Sequence, residues 1–154
     1  FIKKMKSKYK FILFGVVGLF ILGLAFILGL RTLVISIANQ RTCEWANIDN
    51  IELNAKIDIP SIIDSDCVYL KAINTKKAYF EFNLNDFDAD HYIEVNKLKR
   101  LESKDIKVDL LNFNIDSLKF DMLYYKSRNG KKSNSYALFD KNKGQLWVSV
   151  QYAD

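Results

Sequence analysis

The sequence predicts an N-terminal single transmembrane α-helix followed by a small β-rich extracytoplasmic domain, an antiparallel meander of the α+β class. Three observations predict it. An uncharged run of twenty residues stretches from Phe11 to Leu30, a lysine-rich segment precedes it, and apolar residues alternate with polar ones through most of the chain beyond Asn47.

A bilayer's hydrocarbon core is about 30 Å thick and takes roughly 20 apolar helical residues to cross. The run FILFGVVGLFILGLAFILGL fits that length and is apolar all round, unlike the one-sided stripe of a surface helix. Lys3, Lys4, Lys6, Lys8 and Lys10 form a basic tail over residues 1–10. The positive-inside bias holds such a tail in the cytoplasm, which sends everything after Leu30 across the inner (cytoplasmic) membrane. The helix is expected to continue to about Gln40, so residues 11–40 form the span with a short extension and 41–154 the domain. Gly15, Gly18 and Gly23, with the pair Ala25 and Gly29, are notches at which another helix can approach closely.

Ser36-Ile37-Ala38 has the small residues of a cleavage site, but the apolar stretch before it is longer than a signal-peptide core. Cys43 follows Gln40-Arg41-Thr42, without the apolar and small residues expected before a lipidated cysteine. A signal-anchored, single-pass chain is the expectation. The start, Phe1 running into an apolar helix, resembles that of mature type IV pilins and pseudopilins over the first thirty residues. Those proteins carry an acidic residue at the fifth position, where Met5 stands here among lysines. The resemblance implies a pilin-like or pseudopilin-like subunit as a minor alternative.

The formal charge of +5 comes from the tail: five of the 23 Lys and Arg residues precede Phe11, and all 18 Asp and Glu residues follow it. The remaining chain is neutral, so a nucleic-acid face, which needs its excess cations on the folded domain, is excluded. The tail itself is suited to anionic membrane lipid. Cys43 and Cys67 both fall on the exported side, where oxidising conditions favour a disulfide. A metal site would need further Cys or His residues near them.

Ile51, Leu53, Ala55, Ile57 and Ile59 alternate with polar residues and predict a half-buried strand ended by Pro60. Val68–Ile73 predicts a second strand, and Ala78, Phe80, Phe82 and Leu84 a third. Residues 85–101 fit either a short helix or a strand. Ile106, Val108 and Leu110 alternate again, as do Leu118, Phe120, Met122 and Tyr124. Ser127–Ser135 contains Asn129-Gly130 and predicts a polar hairpin loop. Tyr136–Phe139 and Gln145–Tyr152 form the last hairpin, with Trp147 and Ser149 on one face and Leu146, Val148 and Val150 on the other. Short connections between strands favour an antiparallel meander.

Asp86, Asp88 and Asp90 have the alternate spacing of a calcium loop, with Glu94 at its ninth position. His91 stands where the loop needs Gly, and Lys97 where it needs a bidentate Glu, so a solvated acidic loop is expected. His91 is the only histidine, and no nucleophile elbow, zinc-protease helix or phosphate-binding glycine loop accompanies it. No catalytic residue, metal, cofactor or small-molecule substrate is therefore expected. From Lys126 onward six basic residues face two acidic ones. Lys126, Arg128, Lys131, Lys132, Lys141 and Lys143 fall at two hairpin tips, which suits steering of an acidic partner or lipid headgroups.

These features point to a non-enzymatic, membrane-anchored accessory subunit of a bacterial envelope complex that binds a protein partner in the periplasm. The alternative is a tethered immunity protein that neutralises a periplasmic toxin.

Overall fold

The computed structural model describes residues 7–102 and 120–153. Its first element, α1, is a helix of 33 residues, Ser7–Asn39. Over Tyr9–Asn39 it is long and apolar enough to cross a membrane, and its most apolar window has no buried residue. A Cβ placed on Gly15, Gly18, Gly23 or Gly29 would meet no atom of this chain within 4 Å. The contact pattern divides the chain between Ile37 and Ala38.

The part from Ala38 onward is an α+β domain. Its elements are α2 (Asn47–Ala55), β1 (Ile62–Leu70), β2 (Thr75–Phe82), α3 (Ala89–Asn96), β3 (Lys99–Arg100), β4 (Leu123–Asn129), β5 (Ser133–Asp140) and β6 (Gln145–Tyr152). The strands form one antiparallel sheet in the order β1-β2-β6-β5-β4-β3. Two runs of neighbours build it. The β1–β2 hairpin lies at one end, the β4–β5–β6 meander at the other, and β2 pairs with β6 where they meet. After β2 the chain therefore crosses to the far edge through α3, a departure from a simple meander.

The segment expected to be the first strand is instead the helix α2. Its period-two pattern also satisfies a helix: Ile51 and Ala55, four apart, are both buried, and so are Asn50 and Asn54. Lys56, in the left-handed conformation, ends the helix, and Ile57 and Ile59 reach the core from the extended chain after it. The ambiguous stretch is settled as α3. Asp88 caps it by accepting from the backbone N–H groups of Asp90 and His91, and Tyr92 is its buried anchor. The first hairpin turns at Lys71–Ile73 and at Asn74, which takes the left-handed conformation, so residues 75–77 already belong to β2. The β4–β5 hairpin has a shorter loop than expected, since pairing runs to Asn129↔Asn134. Ile106–Leu110 and Leu118 lie outside the described residues. Phe120–Met122 is a 3-10 turn leading into β4.

One sheet face packs against α2 and α3. Ile51, Phe80, Phe82, Tyr92, Phe139, Leu146, Val148 and Val150 make its core. The opposite face carries a second buried cluster of Leu101, Leu123, Tyr136, Leu138 and Trp147. Trp147 thus faces away from Leu146 and Val148, as the alternation predicts, and both sets are buried. At the β5–β6 turn Gly144 has φ +66° and lies against Leu84 and the Phe82 carbonyl, a place where a side chain would be strained.

The outer edge of the sheet at β1 has an unusual finish. The N–H groups of Ser65 and Cys67 donate to the carboxylates of their own neighbours, Asp64 (2.8 Å) and Asp66 (2.7 Å). Two residues apart on a strand, these donors point the same way, out from β2.

Candidate functional site

The densest group of buried polar side chains sits where the chain enters the domain. A helix leaves its last four carbonyls without intrahelical partners. Here Ala38, at the C-terminal end of α1, accepts from Nδ2 of both Asn50 and Asn54 at 3.0 Å. The two amides reach one carbonyl because α2 places residues four apart on a common face. The Gln40 carbonyl accepts from Lys76 Nζ at 3.3 Å, and the Tyr152 oxygen lies at the same distance from it. Lys76 also donates to Asn50 Oδ1 at 2.9 Å, and Tyr152 donates to the same oxygen. Ser133 Oγ completes the group by donating to Asn54 Oδ1 at 2.8 Å.

Lys76 is 0% exposed, and no carboxylate pairs with it among the described residues. Burial accordingly pushes its ammonium down to about 8. Burial also raises the Tyr152 hydroxyl to about 12. The Gln40 carbonyl that meets the cation lies just past a helix C-terminus, where the macrodipole favours positive charge.

A cavity of about 260 Å³ opens beside this group, lined by Ala38, Asn39, Arg41, Lys131, Lys132 and Tyr152 among others. Arg41 lies over the Tyr152 ring, 5.4 Å from its centroid, and donates to Asn74 Oδ1 (3.0 Å) and the Ala153 carbonyl (3.4 Å).

No protein-family model, characterised protein or solved structure matches this chain. The site is therefore read from its own chemistry.

The basic residues singled out from sequence separate into different roles. Lys126 donates to the Lys56 carbonyl and Arg128 to the Asn54 carbonyl (2.6 Å), so both close the C-terminal end of α2. Burial lowers the pKa of Lys126, with Lys97 and Arg128 adding repulsion. Lys141 pairs with Asp90 at 2.6 Å, and that hydrogen bond raises its pKa. Lys143 is exposed on the β5–β6 turn, where its backbone N–H donates to Asp140. Only Lys131 and Lys132 reach the cavity. The eight residues of β5 separate the two hairpin tips by about 25 Å, at roughly 3.3 Å per residue. The six cations do not form one patch.

Cys43 and Cys67 are bonded, with S–S 1.98 Å and Cα atoms 5.8 Å apart. The acidic triplet is structural: Asp86 accepts from Asn83, Asp88 caps α3, and Asp90 holds Lys141. Among the described residues no group of three His, Cys, Asp or Glu side chains is placed to hold a metal ion. His91 is exposed on α3. His91→Ala should leave the thermal midpoint within a degree or two of the parent, because a surface change away from caps and core costs within about 0.5 kcal/mol. Asp88→Asn keeps a capping oxygen and should behave alike; a large drop for either would assign these side chains a role the geometry does not show.

Asn50, Asn54, Lys76 and Tyr152 are not visible as a group in the sequence. Asn50 and Asn54, four apart beside Ile51 and Ala55, are the available signal, and the strand-like alternation overrides it.

Proposed function

We propose that the protein is a non-catalytic, single-pass membrane-anchored subunit of a bacterial envelope complex. On this reading α1 holds it in the inner membrane, and the α+β domain binds a protein partner on the periplasmic side. The observation that carries the reading is the use made of Lys76. A buried lysine with a lowered pKa is a common catalytic base, but this one is closed to solvent and bonded to the segment leaving α1. The arrangement serves attachment. The Cys43–Cys67 bond supports an oxidising compartment, and the lysines before Phe11 support the orientation.

Two measurements on the full chain test this. A membrane-impermeant thiol reagent should label a cysteine placed at Asn142 from outside the inner membrane and leave one placed at Ser7 untouched. Photo-crosslinking residues at exposed Trp45, Ile73 or Val95 should yield a discrete protein adduct in native membranes. Reversed labelling would overturn the orientation. Correct labelling with no adduct at any exposed position would overturn the binding role.

A further inference from the structure

We infer that the cavity beside Ala38 binds the phosphate-bearing headgroup of an anionic lipid; the inference rests on the anchoring proposed above. Three cations line it, Arg41, Lys131 and Lys132, and no carboxylate is among the described residues that line it. Lys131 and Lys132 are exposed, and neither side chain has a hydrogen bond or ion pair among the described residues. Their turn is fixed from behind: Gly130 N–H donates to the Ser133 carbonyl at 3.0 Å, and Ala153 N–H to the Lys132 carbonyl at 2.9 Å. Arg41 is held over the Tyr152 ring with two donors engaged. A guanidinium has five, so three remain for a phosphate oxygen.

The volume suits a headgroup better than a large ligand. About 260 Å³ lies just below the usual range of ligand cavities. The source of the phosphate follows from the chain itself. Ala38 lines the cavity only eight residues after Leu30, the end of the apolar run, and α1 is helical between them. At 1.5 Å per residue that is about 12 Å of helix, which ties the three cations close to any bilayer that α1 crosses.

The test uses the full chain, disulfide intact, reconstituted into liposomes and then titrated with phosphatidylglycerol in neutral detergent micelles, bound lipid being read by native mass spectrometry. K131Q/K132Q should weaken retention by about thirty-fold, since each cation near anionic lipid contributes on the order of 1 kcal/mol. K99Q/K143Q, which removes the same charge from exposed positions elsewhere, should not, and excess inorganic phosphate should not displace the lipid. Matching thermal midpoints for both variants establish that folding is retained. Equal loss in the two variants, unchanged retention in K131Q/K132Q, or full displacement by inorganic phosphate would each overturn the lipid assignment while leaving the anchor standing. A parent chain that does not float with liposomes would overturn the anchoring, and this inference with it.

Discussion

Breaking the Cys43–Cys67 bond is expected to remove about 3 kcal/mol of stability, through Cys43→Ser or through reduction. The bond closes a loop with a sequence separation of 24, and the chain-entropy model gives that magnitude for a loop of this size. For a domain of this length the thermal midpoint should fall by roughly 10 °C. The loss should be local in origin. Thr42, Glu44 and Trp45 are exposed, so beyond Arg41 little besides the bond holds this stretch against β1. Reduced and oxidised full chain in the same detergent, melted side by side, provide the measurement. Identical midpoints would mean that the polar group around Lys76 alone fixes the entry segment.

Replacing Lys76 should give effects of opposite sign according to what replaces it. Lys76→Ala leaves a cavity and should destabilise by about 2–4 kcal/mol. Lys76→Met fills the space and removes a buried cation that lacks a carboxylate partner, and Tyr152 still donates to Asn50 Oδ1. Such a swap should stabilise by about 1–2 kcal/mol at neutral pH. The pH dependence identifies the cause. Free lysine titrates near 10.4, and folded Lys76 near 8. Between those values the unfolded chain holds a proton that the folded chain lacks. Stability therefore rises with pH from about 8 to about 10 and is lost as pH falls through 8. Tyr79 and Tyr152, held up to about 12, work the other way, but only above about 10, where unfolded tyrosine starts to ionise. Denaturation of the full chain at several pH values should show the rise in the parent and a much smaller one in Lys76→Met, where Lys126, also lowered by burial, is left to contribute. A parallel rise in both would assign the effect to other groups.

Much of the fold is legible in residue patterning. The helix over residues 11–40 can be read because the uncharged run from Phe11 to Leu30 within it has few alternatives. β2 and β6 can be read because alternate residues along each, Ala78, Phe80 and Phe82 in one and Leu146, Val148 and Val150 in the other, are apolar and share one core. α2 cannot. Isolated alternation over Ile51–Ile59 fits either period, and the choice is made by a distant event, the docking of Asn50 and Asn54 onto the Ala38 carbonyl. The candidate site is hidden for a related reason. Lys76 stands in the tract Asn74-Thr75-Lys76-Lys77, which has the composition of a solvated turn. Its burial comes from β2 pairing with β6, a contact across more than seventy residues that local periodicity does not contain. The count of cations from Lys126 onward is plain in the sequence, but composition does not show that two of those residues close a helix and one pairs with Asp90.

Asp64 and Asp66 bear on crowding. Molecules tethered to one bilayer are confined to a plane and meet far more often than the same number in free solution. A nine-residue border strand would then be a template on which one copy could add to the next, sheet to sheet, without limit. With the amides of Ser65 and Cys67 already engaged by neighbouring carboxylates, an incoming strand finds two of its docking points filled and two negative charges in its way. If α1 anchors the chain as proposed, this edge lets copies share a bilayer without adding strand to strand.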